Sequence, residues 1–216
     1  MMKEISFILL FMTLSCVTVF SQTKKTVRHT STSLVAKQKA KVKAEAEDRE
    51  KARISENNTK CYFSFRSDGF VSEQGYDDYV IYLIPEMSSS DLKGSVFTAL
   101  SSMYKSPKDA ITSLSDNMVQ LDGYAKDVYI GLIGGTAPSV SLLFNMVIQF
   151  KDGKIRYNKP TIKQMILDDY GREKVVNVTQ PISILITSDV DRRMVEKYFR
   201  KLIESINAKL VKSNDW

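Results

Sequence analysis

The residues that could do chemistry are few and far apart in this chain of 216 residues. The single histidine, His29, lies in a polar stretch near the start, so the later part of the chain cannot build a Ser-His-Asp triad or a Cys-His pair. The carboxylate pairs Asp77-Asp78 and Asp168-Asp169 could hydrolyse glycosides or bind calcium if they were held at the right separation. Both pairs lie in predicted loops, which favours solvated surface residues. The sequence therefore predicts no catalytic residues, no metal site and no cofactor.

Two further patterns resemble reactive sites but lack essential parts. The glycine-rich stretch 131–135 has no following Gly-Lys-Ser/Thr and does not match the dinucleotide-binding spacing, so a turn between strands is predicted. Cys61 has no base near it in the sequence, so we expect a small buried apolar residue there, not a nucleophile. Neither pattern supports an enzyme.

The start of the chain has the pattern of a secretory signal peptide, predicted over residues 1–21. A short charged start precedes an apolar run, and Val19-Phe20-Ser21 fits the small-residue rule for cleavage after Ser21. The remaining protein would be exported, periplasmic or secreted, without a transmembrane span. An alternative is a lipid anchor at Cys16, although Thr13 and Ser15 fit the lipidation pattern poorly.

The positive charge is confined to one segment of the chain. Residues 22–60 hold eleven Lys and Arg against five Asp and Glu, whereas residues 61–216 hold 19 of each. A nucleic-acid-binding domain carries an excess of basic residues on its folded surface. The net charge of +6 therefore does not predict a nucleic-acid partner.

Residues 22–60 are predicted to form a charged arm and linker. The stretch 22–33 is expected to be disordered, and Leu34–Ile54 is rich in the helix formers Ala, Lys, Glu and Arg. Asn57-Asn58-Thr59 is predicted to end this helix. Apolar positions are too few for a coiled coil, so we interpret the arm as a solvated spacer; attraction to anionic lipid or cell-wall polymer is the alternative.

Residues 61–216 are predicted to form a single globular domain. Strands are predicted at Tyr79–Ile84, Met118–Leu121, Val128–Ile133, Lys174–Val178 and Ile182–Ile186. A helix is predicted from a cap at Ser88-Ser89-Ser90 to a stop before Pro107, followed by a short helical turn from Pro107 through Leu114.

The strongest local signal is Asp152-Gly153, a pair typical of the two-residue turn of a β-hairpin. With this turn, Phe150 faces Ile155 on an apolar face, and Gln149 faces Arg156 on a mixed face. The apolar alternation continues backwards over several residues. The strand before the turn is therefore predicted to be central or near-central and to pack against a helix.

The last predicted element is a long helix that begins at a Ser188 cap with Asp191 in its first turn. Its apolar stripe consists of Met194, Val195, Tyr198, Phe199, Leu202, Ile203, Ile206 and Leu210. The order of elements predicts an α+β fold, an antiparallel sheet with helices packed on one face, preceded by the charged helical arm.

Three segments resemble a family of uncharacterised secreted proteins of Bacteroides-type bacteria, a domain of unknown function with a fold like that of the TATA-box-binding protein (TBP). They are Ser89-Ser90-Asp91-Leu92, Tyr129-Ile130-Gly131, and the stretch from Phe144 to Tyr157 with its Lys-Asp-Gly-Lys-Ile-Arg-Tyr hairpin. The resemblance covers roughly residues 79–165. It implies a TBP-like fold and export, not DNA binding, and it implies no catalytic residues.

Two functions follow as hypotheses. The first is a non-catalytic envelope module that binds a protein or a cell-surface polymer through its sheet or helix surface. The second is a carrier of a small apolar ligand, held between the C-terminal helix and the sheet. The pocket of that carrier would be lined by Phe144, Ile148, Tyr157, Tyr198 and Phe199.

Overall fold

The computed structural model describes residues 27–132, 135–179 and 185–212, and for residues 27–35 and 211–212 only the backbone. The predicted signal peptide with Ser21 and Cys16 lies outside the described residues, as does most of the predicted strand Ile182–Ile186. The chain divides into two compact units, Met1–Glu50 and Lys51–Trp216, and each is described by itself.

Helix α1 spans Val27–Thr59 and supplies all of the described part of the first unit. It is longer than predicted at both ends. The expected disorder over residues 27–33 is wrong, and Asn57-Asn58-Thr59 form the last three residues of the helix, which ends at Thr59, instead of lying beyond it. Exposed ion pairs one turn apart, Lys41–Glu45 at 4.0 Å and Lys43–Glu47 at 3.8 Å, lie along it. Such pairs each contribute only a few tenths of a kcal/mol to helix stability.

The described residues of the second unit form an α+β fold. Its elements are β1 Phe63–Arg66, β2 Gly69–Ser72, β3 Tyr79–Leu83, α2 Ser89–Ser101, α3 Pro107–Ala110, β4 Ile111–Ser115, β5 Met118–Ile130, β6 Ser139–Lys151, β7 Lys154–Asn158, β8 Thr161–Asp169, β9 Arg172–Asn177 and α4 Asp189–Lys212. Strands β1 and β2 pair with each other, and the other seven form one antiparallel sheet. The predicted fold class, an antiparallel sheet with helices on one face, is confirmed.

Strand β6 is the centre of the large sheet, whose path runs β3-β7-β6-β5-β4. On one side it pairs with β5; on the other it pairs with β8 over residues 139–145 and with β7 over residues 148–151. The turn at Asp152-Gly153 gives the predicted register, since Phe150 lies opposite Ile155 and Gln149 opposite Arg156. Both the central position of β6 and its hairpin were predicted correctly.

The alternating residues of the sheet divide into a covered face and an open face. On β6, the residues facing α2 and α4 are buried, and they are Val140, Leu142, Phe144, Met146, Ile148 and Phe150. Leu143, Asn145, Val147 and Gln149 point to the other face and are half-buried. We call this second surface, which also carries alternate residues of β3, β5 and β7, the helix-free face.

Local chemistry explains where the two packing helices begin. Ser88 caps α2 by accepting a hydrogen bond from the Asp91 N–H at 3.2 Å, and its hydroxyl donates to the Asp91 carboxylate at 2.6 Å. At α4, Ser188 accepts from the Val190 N–H at 3.2 Å, and Asp189 and Asp191 lie in the first turn. Carboxylates there interact favourably with the positive end of the helix dipole.

A bulge and a glycine shape β5 beneath α4. The predicted strand Met118–Leu121 and the first three residues of the predicted strand Val128–Ile133 belong to one strand, whose register shifts between Ala125 and Tyr129 around Asp127, at a φ of 49°. Gly131 and Leu132 are not in a strand, and Ile133 lies outside the described residues. Gly123 lies opposite Phe144, and a Cβ at Gly123 would come within 2.1 Å of the Phe144 ring. The absence of a side chain at Gly123 therefore makes room for this ring.

The segment after Pro107 also differs from the prediction. The helical turn ends at Ala110, and residues 111–114, predicted as part of that turn, belong to strand β4, Ile111–Ser115. Lys93 of α2 donates hydrogen bonds to the Ser113 hydroxyl at 2.9 Å and to the Ser115 carbonyl at 2.7 Å. These bonds reach the outer strand of the sheet, where backbone groups otherwise face solvent.

Candidate functional site

Three of the residues considered for chemistry, Cys61, Asp78 and Asp168, have structural surroundings that account for them. Cys61 is buried at 4% exposure, as predicted, and burial raises the pKa of its thiol well above the usual range. The Lys159 ammonium bonds to Asp78 at 2.6 Å and holds the pKa of that carboxyl below its usual value. Asp168 and Asp169 are the last residues of β8, so their predicted position in a loop is wrong, and Asp168 accepts a hydrogen bond at 2.7 Å from the N–H of Gly171 in the following turn. In the part of the chain that the structure describes, no cluster of His, Cys, Asp or Glu could hold a metal ion.

Four of the five residues proposed to line a carrier pocket are core residues. Phe144, Ile148, Tyr157 and Phe199 are each exposed by 2% or less. The Phe144 and Phe199 rings pack edge to face with centroids 4.9 Å apart. The Tyr157 hydroxyl donates to the Asn207 amide oxygen of α4 at 2.6 Å. These contacts fill the space between α4 and the sheet around those side chains.

Tyr198, the fifth of these residues, lies at the edge of a surface groove. This groove of about 440 Å³ is lined by Met103, Tyr104, Lys105, Ser106, Asp109, Ala110, Asp122, Tyr124, Tyr198 and Leu202. Burial is the main cause that raises the pKa of Tyr198 to about 12, and a hydrogen bond with Tyr104 opposes it. The Asp122 carboxylate in this groove already accepts hydrogen bonds from Gln120 at 2.8 Å and Asn145 at 2.9 Å.

A second groove, on the helix-free face, combines cationic and apolar side chains. Its volume is about 340 Å³, and it is lined by Tyr79, Ile81, Asn117, Met118, Gln149, Phe150, Lys151, Lys154 and Arg156. We call it the cationic groove. Strand pairing produces the groove by placing one residue from each of four neighbouring strands in a row across the sheet. In order, these residues are Ile81 of β3, Arg156 of β7, Gln149 of β6 and Met118 of β5.

Arg156 is held in a defined position in the cationic groove. Its guanidinium carbon lies 3.9 Å from the centroid of the Tyr79 ring, and its Nε donates to the Asn158 side-chain oxygen at 2.9 Å. Tyr79 is in turn stacked on Tyr76, with centroids 4.5 Å apart and planes at 17°. The guanidinium is thus oriented before any ligand arrives.

Among the described residues, no carboxylate forms an ion pair with the cationic side chains of this groove, and Arg156 acts on the nearby Asp78 carboxyl only through its charge, which helps to lower the pKa of that carboxyl. Lys151 and Lys154 lie directly opposite each other where β6 and β7 enter the turn. The Asp152 carboxylate between them accepts a hydrogen bond from the Ser89 N–H at 2.8 Å. Over the described ranges, neither lysine nor Arg156 forms an ion pair with a carboxylate.

The cationic groove was not predicted from the sequence. The predicted hairpin did place Gln149 and Arg156 together on the mixed face. What it lacked was the pairing of β3 with β7, which brings Tyr79 and Ile81 to the same surface. The alternation in Tyr79–Leu83 was a usable signal, because its odd-numbered residues must share one face of a strand.

Comparison with known proteins finds two structures with low similarity. A crystal structure of a TBP-like protein from Parabacteroides distasonis is 11% identical, with a TM-score of 0.44, over 61% of this chain and 90% of that one. A DUF4468 family protein from Bacteroides ovatus is 9% identical, with a TM-score of 0.39, over 61% of this chain and 84% of that one. No protein-family model matches the chain, and no curated protein does. Membership of the family that the sequence resembles stays a prediction.

Proposed function

We propose that the protein is a non-catalytic, exported envelope module that binds a protein or a cell-surface polymer through the helix-free face. The observation that carries the proposal is the cationic groove. Lys151, Lys154 and Arg156 lie there beside Tyr79, Ile81 and Met118, and none of the three forms an ion pair with a carboxylate of the described residues. A surface that combines oriented charge with half-buried aromatic and aliphatic groups has the composition of a recognition site.

The covered face is less suited to this role. Most apolar residues of α2 and α4 are buried in packing, with Phe97, Val190 and Met194 as scattered exposed exceptions, and the exposed side of α4 carries charges that pair within the helix, such as Arg200 with Glu204 at 3.2 Å. Exposed pairs of this kind are common on solvated helices. The helix-free face therefore receives the proposed binding function.

Photo-cross-linking from chosen positions tests the proposal. A photoreactive phenylalanine analogue is placed at Gln149 in the cationic groove and, as the control, at Lys201 on the exposed side of α4. After irradiation of cells producing the full chain, we expect a discrete adduct with an envelope protein or polymer from position 149 and none from position 201. An adduct from position 201 alone, or none from either position, contradicts the proposal.

The export part of the proposal has its own test. The described residues include no helix that is both long and apolar enough to cross a membrane. The intact mass of the protein recovered from its host should correspond to residues 22–216, with Gln22 at the N-terminus. A mass that begins at Cys16 and includes acyl chains would instead establish the lipid-anchored alternative, and an uncleaved chain in the cytoplasm would contradict export.

The carrier hypothesis is not favoured by a particular observation. Its predicted lining residues pack against one another, and Tyr198 alone among them borders a groove. An apolar ligand between α4 and the sheet would have to displace the Phe144–Phe199 contact at 4.9 Å. We therefore propose the interaction module as the function.

A further inference from the structure

We infer that the cationic groove recognises a protein segment in which carboxylate side chains stand next to apolar ones. This inference rests on the proposed function and specifies the partner of the same site.

The charges favour an anionic ligand. Lys151 and Lys154 occupy directly opposite positions of an antiparallel pair, an arrangement in which like charges destabilise the sheet. Carboxylates from a partner would convert this repulsion into charge-assisted hydrogen bonds, which are roughly twice as strong as neutral ones. The groove itself contributes no acidic side chain to compete for those contacts.

The apolar residues select among anionic ligands. Tyr79, Ile81 and Met118 line the same groove and are half-buried in the free protein. A ligand that covers them gains the hydrophobic contribution of roughly 25 cal/mol for each Å² of apolar surface removed from water. A uniformly hydrophilic polyanion would leave these residues uncovered, so an acidic segment that also carries apolar side chains fits the lining better.

Size and orientation limit the ligand further. The groove volume of about 340 Å³ is near the lower end of the range for ligand sites, roughly 300–1,000 Å³, so it suits a few side chains of a short segment. The Arg156 guanidinium is already fixed by Tyr79 and Asn158. A preoriented planar donor loses little side-chain freedom when it binds a carboxylate with two parallel hydrogen bonds.

The binding test uses the full chain and synthetic probes of defined chemistry. A fluorescein-labelled peptide with alternating Glu and Leu is compared with a peptide in which Gln replaces every Glu. Polyphosphate serves as the hydrophilic polyanion. We expect the Glu-Leu peptide to bind about tenfold or more tightly than the Gln-Leu peptide, with an affinity that falls as salt is added. Polyphosphate should compete weakly.

Variants assign the binding to the groove. Arg156→Gln should reduce the affinity for the Glu-Leu peptide by about tenfold, and Lys154→Gln should reduce it by about threefold. The matched control Lys201→Gln removes the same charge from the exposed side of α4 and should leave affinity unchanged. Arg156→Lys keeps the charge but removes the planar fork, so it should bind more weakly than the unaltered chain.

Thermal unfolding separates loss of binding from loss of folding. Because Lys151 and Lys154 repel each other, Lys154→Gln should unfold at the same temperature as the unaltered chain or a higher one, while its affinity falls. Reduced affinity in a variant of undiminished stability cannot arise from misfolding.

Three results would overturn the inference. If the Glu-Leu and Gln-Leu peptides bind equally well, the groove does not recognise carboxylates. If Lys201→Gln reduces the affinity as much as the groove variants do, the peptide binds outside the groove. Polyphosphate competition as strong as that of the peptide would assign the groove to a hydrophilic polyanion. In each case the proposed function stands if the cross-link from Gln149 forms, and it fails if that cross-link is absent.

Discussion

The side chain of Asn58 binds the backbone of Leu83 as a neighbouring strand would. Its Nδ2 donates to the Leu83 carbonyl at 2.9 Å, and its Oδ1 accepts from the Leu83 N–H at 2.8 Å. Gln74 does the same for Ile81, with bonds of 2.7 and 2.6 Å. The outer edge of β3 is therefore satisfied by amide side chains, which keeps an edge strand from pairing with another chain.

Replacement of Asn58 by Ala should expose this edge. The change removes both bonds to Leu83 and leaves two partly buried backbone groups unpaired, so we expect the free energy of unfolding to fall by about 1–3 kcal/mol. Urea denaturation measures this free energy of unfolding. Asn177→Ala, at an exposed position on β9, is the control and should change stability by less than about 0.5 kcal/mol. Equal losses in both variants would contradict a special role for Asn58.

Replacement of Gly123 by Ala should destabilise the protein through the Phe144 ring. The added Cβ would lie 2.1 Å from that ring, so the ring or the strand must shift, which should reduce the free energy of unfolding by about 1–3 kcal/mol. The double variant Gly123→Ala with Phe144→Leu should lose less stability than the sum of the losses in the two single variants. Gly94→Ala in α2, where nothing lies within 4 Å of the added Cβ, should instead stabilise by up to about 1 kcal/mol.

The Tyr157–Asn207 hydrogen bond gives a double-mutant test of the α4–sheet contact. Tyr157 is fully buried and Asn207 is 6% exposed, and they share a bond of 2.6 Å. Tyr157→Phe leaves the buried Asn207 amide without this partner and should reduce stability by about 1–3 kcal/mol. Adding Asn207→Leu should restore part of the loss. A double variant less stable than Tyr157→Phe would show that Asn207 has other, stronger roles.

Alkaline pH should destabilise the fold because it removes protons from a buried thiol and a buried phenol. Burial raises the pKa values of Cys61 and Tyr157 above their usual ranges. The unfolded chain releases the thiol and hydroxyl protons at lower pH than the folded chain does. The contribution of these two groups to the free energy of unfolding is therefore complete below about pH 8.5 and is lost as the pH rises further. In urea denaturation across pH 7 to 10.5, Cys61→Ala should reduce the slope between about pH 8.5 and 10, before tyrosines ionise. An unchanged slope would contradict the assignment to Cys61.

Elements set by short-range chemistry were predictable from the sequence. Asp152-Gly153 determines a turn by itself, and the register of the hairpin follows from it. Ser88 and Ser188 cap their helices because the bonded N–H groups lie only two or three residues away. The apolar stripe of α4 was also predicted, except that Met194 is 41% exposed.

Elements set by distant contacts were not predictable. Asn57 and Asn58 resemble a helix break because asparagine usually favours turns, but both bond to β3, more than twenty residues away. The bulge around Asp127 shifts the alternation within β5, so one strand resembles two. The cationic groove depends on the same kind of contact, since Tyr79 meets Arg156 only through the pairing of β3 with β7.

The position of β6 has a consequence for how the domain opens. Because β6 pairs with β5 along one side and with β7 and β8 in succession along the other, its amides are enclosed by three strands. They can exchange with solvent deuterium only when the whole sheet separates. The exposed strand β9 pairs with β8 alone among the described strands, so it can open locally. Slow amide exchange should therefore mark β6 as the last part of the sheet to open, and fast exchange should mark β9 as the first.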